Sequence, residues 1–399
     1  MQQIAYLNSN DGTGILAWGV EHSLIAGPTS GLSTLQEFLN HYEGDYRFLC
    51  LSYDLKNDIE KLDSNNFDGV KFPKFIAWVP QYVVEMKKES YRFLKGEKST
   101  EAFEFLQQFL EEETDHNFHP YNFNFQARTS KEDYLEKVKN LQKAIQRGDI
   151  YEVNYCQEYF AENVDIDFAL DTYFKLNYLT QAPFSGYISI GDFQIFCGSP
   201  ERFLKRSGNK LISQPIKGTA PRGETPEKDE HLKKQLQQNP KERAENVMIV
   251  DLVRNDFSQI ATAGSVNVEE LCEIYSFETV HQMISTVACE VRSGATFTDI
   301  LRATFPMGSM TGAPKISAMQ HIEEAEDFQR GIYSGSIGYI DPTGDFDLNV
   351  VIRTLVYNRK EKYLSCGVGS AITILSNPED EFQECQTKVK RILDGMQQP

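Results

Sequence analysis

Short apolar runs separated by turn residues dominate the first 125 positions. Arg47–Tyr53, Lys74–Val79 and Tyr82–Met86 are rich in strand-forming residues, and turns such as Asp68-Gly69 divide them. They predict short strands. From Thr100 to Glu113 the spacing turns helical, and Thr114 to Arg128 has no period and reads as a connector. Residues 1–125 carry no recognisable chemistry and are expected to contribute strands to the same fold as the rest of the chain.

A second pattern begins at Ser130. Ser130-Lys131-Glu132-Asp133 has the form of a capping box, and Tyr134, Val138, Leu141 and Ile145 follow at helical spacing until Gly148. A strand over Ile150–Tyr155, a helix over about 167–179 and a hairpin of Ser185–Ile190 with Phe193–Gly198 come next. Pro240 opens a helix in which Glu242, Glu245, Ile249 and Leu252 share a face. Strands are predicted over Gly335–Ile340 and, unbroken, over Leu348–Tyr357. In the latter, Arg353 sits among apolar neighbours and is expected to meet a carboxylate. Asn377 and Pro378 start a last helix, with Glu381, Glu384 and Lys388 beside its buried stripe.

Two glycine- and proline-rich stretches interrupt this pattern. Ser213-Gln214-Pro215-Ile216-Lys217-Gly218-Thr219-Ala220-Pro221-Arg222-Gly223 reads as a stiff loop that aims Lys217. A solvated turn lysine is the plainer reading of that residue by itself. Pro306-Met307-Gly308-Ser309-Met310-Thr311-Gly312-Ala313-Pro314-Lys315 leads into a helix whose free N–H groups suit an anion, with Lys315 adding charge. It lacks the phosphate-binding spacing G-x-x-x-x-G-K-[ST], so a carboxylate is the better guess.

Composition narrows the options. A net charge of −18 over 399 residues disfavours nucleic acid and anionic membranes as partners. The seven cysteines form no C-x-x-C pair and read as reduced thiols. No leader-like N-terminus and no apolar run of about 20 residues is present, so a cytoplasmic protein is expected.

Eight pieces in order across about 130–395 resemble the chorismate-utilising enzymes. They are Ser199-Pro200-Glu201-Arg202-Phe203, Pro215-Ile216-Lys217-Gly218-Thr219, Glu242-Arg243-Ala244-Glu245 running to Asp256, and Gly312-Ala313-Pro314-Lys315. Arg330-Gly331-Ile332-Tyr333-Ser334-Gly335, Ile352-Arg353-Thr354, Gly367-Val368-Gly369, and Glu381-Phe382-Gln383-Glu384 with Lys388 complete the set. The resemblance implies an α+β sandwich of two large, mostly antiparallel sheets with helices outside, as one interlocked domain. It implies a Mg²⁺-dependent enzyme acting on chorismate. In this family lysine at the position of Lys217 marks the aminodeoxychorismate synthases, whereas anthranilate and isochorismate synthases typically carry alanine there.

On that resemblance, Lys217 is a nucleophile of lowered pKa, Glu201 a general acid, and His281 a residue near the ring. Glu245 and Glu384 hold Mg²⁺. Ser309, Thr311, Lys315, Tyr333, Arg353, Gly367, Gly369 and Lys388 contact substrate. Glu152 departs from the family, where glutamine is frequent. No Gly-x-Cys-x-Gly glutaminase elbow is present. Ammonia would then come from a glutamine amidotransferase partner, and no fused lyase is expected. The alternatives are an anthranilate or isochorismate synthase with an atypical lysine, and a non-catalytic chorismate-binding subunit.

Overall fold

The computed structural model describes residues 3–397 apart from 28, 61, 89, 115–117, 120 and 122. Part of the predicted connector therefore lies outside the described residues.

Period-two alternation builds the centre. In Arg47–Leu51, Phe48 and Cys50 face one apolar cluster while Leu49 and Leu51 face another. Likewise Ile188 and Ile190 point away from Tyr187. Both faces of these strands are thus buried, and the described strands form two sheets, of 11 and 10 members. The named pairings within them are antiparallel. One cluster, with Ala5, Ile195 and Val356 from the first sheet and Phe48, Trp78 and Ile337 from the second, fills the space between them. Helices Lys131–Arg147, Ala169–Thr180 and Pro378–Gln397 pack outside the first sheet, and Leu32–His41, Pro240–Ser258 and Phe297–Thr304 outside the second.

The N-terminal strands are woven into both sheets. Ile4–Asn8 pairs with Phe184–Ile190 in the first, and Arg47–Leu51 pairs with Ser336–Ile340 in the second. The Ser130 cap forms as predicted: its Oγ accepts from the Asp133 N–H, and Gly148 closes the helix at φ 85°.

Two expectations change. The run 348–357 is not one strand. Phe346–Asn349 belongs to the second sheet and Thr354–Asn358 to the first. The chain crosses between them with Arg353 at φ 54°, a left-handed conformation that ends extended structure. A second crossing lies beside it, where Phe193–Ser199 of the first sheet gives way through Pro200 and Glu201 to Arg202–Ser207 of the second. The Val350 N–H donates to the Glu201 carbonyl at 3.0 Å and ties the two crossings together.

The stretch 213–223 is also not a free loop. Lys210–Gln214 and Ile216–Pro221 are strands on the same partner, Val280–Glu290, interrupted at Pro215. All seven cysteines are buried and free. Among the described residues, no helix is long and apolar enough to cross a membrane.

Candidate active site

A cleft of about 470 Å³ opens where the chain changes sheets. Each functional side chain reaches it for a local reason. In Ile216–Pro221 the register slips: Ile216 faces Ile284 but Thr219 faces Gln282, so Lys217 and Gly218 occupy a bulge. Gly218 has φ 91°, and a Cβ there would sit 3.0 Å from Glu242 Oε2. The bulge turns Lys217 into the cleft.

Glu201 comes from the first crossing and Arg353 from the second. Helix Pro240–Ser258 supplies Glu242 and Glu245, and helix Pro378–Gln397 supplies Glu384 and Lys388. The Gly367–Gly369 backbone forms one wall, where a Cβ at Gly367 would lie 2.4 Å from the Tyr333 ring.

The electrostatics follow from burial. Burial pushes the Glu201 carboxyl up to about 7, against the opposing pull of Ser309 and Lys217. Burial also raises Glu245 to about 7, and its Oε1 has no hydrogen-bond partner among the described residues. For Glu384, burial acts upward but is outweighed by Lys388, whose Nζ lies 2.6 Å from Oε1. The carboxyl is held below its usual range.

Lys217 behaves opposite to expectation. Burial alone would lower its pKa. Glu152, with Nζ to Oε1 at 2.9 Å, together with Glu245 and Glu201, outweighs burial and holds the ammonium well above its usual value.

Of the residues singled out in the sequence, Lys217, Glu201, Ser309, Tyr333, Arg353, Gly367, Gly369, Lys388, Glu245 and Glu384 all line the cleft. Three do not. His281 and Gln282 are adjacent on one strand, so they face opposite ways, and Gln282 is the one in the cleft. His281 instead latches the helix Pro226–Gln238: its Nε2 lies 3.0 Å from Asp229 Oδ1, and its Nδ1 lies 2.8 Å from Ser276 Oγ. Lys315 is drawn away by Asp256, at 2.5 Å. The Thr311 hydroxyl donates to the Met307 and Gly308 carbonyls.

The expected carboxylate for Arg353 is not found. Among the described residues it has no ion pair, which leaves the guanidinium free for a ligand. Sequence reasoning missed Gln282, whose buried Oε1 has no partner among the described residues, and Lys241, which lies 3.4 Å from Glu381 and 3.9 Å from Glu245. Strand alternation from Ile284 and i,i+4 spacing from Glu245 were the available signals. Among the described residues no cluster of three His, Cys, Asp or Glu side chains is arranged for a metal.

A sequence model of the chorismate binding enzyme family matches residues 3–394. The chain belongs to this family. Among chorismate binding enzymes it is 39% identical over 273 residues to "Aminodeoxychorismate synthase component 1" of Klebsiella aerogenes, covering 68% of this chain and 60% of that protein. It is 41% identical over 269 residues to "Probable aminodeoxychorismate synthase, chloroplastic" of rice (Oryza sativa subsp. japonica), covering 67% of this chain and 30% of that one. The matches thus span under two thirds of these relatives' lengths. The crystal structure of anthranilate synthase component I from Streptococcus pneumoniae superposes with a TM-score of 0.81 at 27% identity, over 96% of this chain and 92% of that one. The menaquinone-specific isochorismate synthase of Escherichia coli, at 17% identity and a TM-score of 0.78, shares the fold over 100% of this chain and 89% of that one.

Proposed function

We propose that this chain aminates chorismate at C4, giving 4-amino-4-deoxychorismate through a covalent adduct on Lys217. The observation that carries the reading is the placement of Lys217 in the Gly218 bulge, facing the same cleft as the protonatable Glu201. The names of the relatives agree with it.

Chorismate is a dianion. Arg353, which has no ion pair among the described residues, together with Tyr333 and the Gly367–Gly369 backbone, suits one of its carboxylates. The Lys217 amine adds at C2, the ring double bonds shift, and the C4–O bond breaks while Glu201 gives its proton to the departing oxygen. Ammonia then adds at C4 and the C2–N bond to Lys217 breaks. Two allylic displacements replace one hard substitution with retention.

The acids also fit a Mg²⁺ ion. Glu245 carries a buried oxygen with no hydrogen-bond partner among the described residues, Glu384 is held ionised, and an all-carboxylate donor set suits a hard cation that takes its other ligands from water and substrate. When bound, the cation would neutralise a substrate carboxylate and fix the ring. In this reading ammonia comes from a separate glutamine amidotransferase.

The test is chorismate with Mg²⁺ and excess ammonium salt, with products identified by mass and chromatography. 4-Amino-4-deoxychorismate from the wild type and none from Lys217→Ala is the expected result. Anthranilate or isochorismate would overturn the reading.

A further inference from the structure

Glu152 is a buried acid that the reaction above leaves without a task. It opens the strand Glu152–Ala161 and its side chain is 1% exposed. Its Oε1 accepts from Lys217 Nζ at 2.9 Å, and its buried Oε2 has no hydrogen-bond partner among the described residues. The backbone around it is fixed. Glu152 pairs with Ala313, the Tyr151 N–H donates to the Ala313 carbonyl at 2.7 Å, and a Cβ on Gly312 would meet the Glu152 carbonyl at 2.2 Å. The carboxylate is therefore clamped against the lysine, and it does not line the cleft.

An amine must be neutral to attack carbon. Yet the groups facing Lys217 are acids: Glu152 on its strand, Glu201 at the crossing, Glu242 and Glu245 on one helix and Glu384 on another. Releasing the proton to water would take a positive charge out of this acidic site. Passing it along the 2.9 Å hydrogen bond to Glu152 leaves the net charge unchanged, so the field of the other acids largely cancels. Burial also favours a neutral amine and carboxylic acid over two buried ions. Among the described residues, Glu152 is the one carboxylate in ion-pair contact with Nζ.

We infer that Glu152 is the base that turns Lys217 into a nucleophile, an inference that rests on the amination reading above. The N–H bond breaks and an O–H bond forms on Glu152. The freed lone pair makes the C2–N bond, and the C4–O electrons leave on oxygen, which takes the Glu201 proton as water departs. Ammonia attack at C4 expels lysine as the amine, which recovers its proton from Glu152. The new C4 ammonium returns one proton to Glu201.

The experiment measures kcat and chorismate KM of the full chain with ammonium, from about pH 6.5 to about pH 9.5. It compares wild type with Glu152→Gln, which keeps an acceptor for Nζ but cannot take a proton. Near neutral pH, Glu152→Gln is expected to lose about 10²-fold or more in kcat, with chorismate KM within about threefold. The ratio of variant to wild-type kcat should rise with pH, as hydroxide comes to replace the missing base. Glu152→Ala should regain activity with added formate, which a purely structural role would not allow. Full kcat in Glu152→Gln at neutral pH, a loss by the same factor at every pH, or no rescue by formate would overturn the inference alone. Failure of the wild type to aminate C4 would overturn it together with the reading it rests on.

Discussion

Arg330 grips Glu326, which sits just past the end of the helix Lys315–Ala325, with two parallel hydrogen bonds, Nε to Oε2 at 2.9 Å and Nη2 to Oε1 at 2.6 Å. The same guanidinium donates to the Met310 and Asn154 carbonyls, and Glu326 Oε1 accepts the Cys156 N–H. The pair is almost fully buried and ties together the segments that carry Asn154 and Met310 in the cleft wall. Removing one partner strands the other. Arg330→Met should cost about 3–5 kcal/mol in denaturant unfolding, because Glu326 is left as an uncompensated buried charge. Glu326→Gln with Arg330→Met should recover much of that loss.

Gly218 should be intolerant of a side chain. At φ 91° a Cβ is strained, and it would meet Glu242 Oε2 at 3.0 Å and Leu236 Cδ1 at 3.1 Å. Gly218→Ala should cost about 1–2 kcal/mol and displace Lys217. The expected signature is a fall in kcat well beyond the change in chorismate KM, read by steady-state kinetics.

Glu201 should link activity to stability. Its folded pKa, about 7, lies above the value of 4.5 for an unperturbed carboxyl, because burial disfavours the ion. The protonated form therefore belongs to the folded state. Its stabilisation is complete below about pH 4.5 and is lost as pH rises through about 7. Glu245 runs in the same direction. Glu201→Gln, which stays neutral, should be more stable than wild type above pH 7 by about 2–3 kcal/mol, measured by unfolding across pH. The same substitution should reduce kcat by about 10²–10⁴-fold.

Arg353 and the glycine wall should govern substrate affinity. Arg353→Ala removes the unpaired guanidinium, and Gly367→Ala would drive a methyl group into the Tyr333 ring. Both should raise chorismate KM about tenfold or more. Arg353→Lys should repair the loss only in part, since a point charge cannot make the two-pronged contact.

Mg²⁺ should act as a ligand of the folded state. At 100 times its Kd the ion should stabilise the wild type by about 2.7 kcal/mol, and Glu245→Gln should remove that response in thermal unfolding. Chelator should return the wild type to its metal-free midpoint.

Much of this site could be read before the fold was known, because its residues sit in short, ordered signatures. Lys217, Glu201, Glu245 and Glu384 were singled out that way, and all four line the cleft. The misses have physical causes. His281 was placed near the ring by the family resemblance, but alternation along Val280–Glu290 gives the cleft to Gln282. Lys315 follows a glycine-rich loop, yet Asp256, far off in sequence, captures it. The run Leu348–Tyr357 has unbroken strand character, and only tertiary pairing shows that it serves two sheets. The pKa of Lys217 depends on acids drawn from separate elements, a sum that local sequence does not display.

The weaving of the first strands into both sheets constrains the order of assembly. Arg47–Leu51 pairs early with Phe75–Val79 on one side, but its partner on the other side, Ser336–Ile340, is synthesised about 285 residues later. At about 5–20 residues per second that is roughly 15–60 s of translation. Throughout that interval an apolar strand presents an open hydrogen-bonding edge, the kind of edge that recruits other chains. Shielding of that edge should therefore matter until Ser336–Ile340 has emerged. Expression at low temperature with chaperone support should raise the yield of this protein more than any change to its cleft.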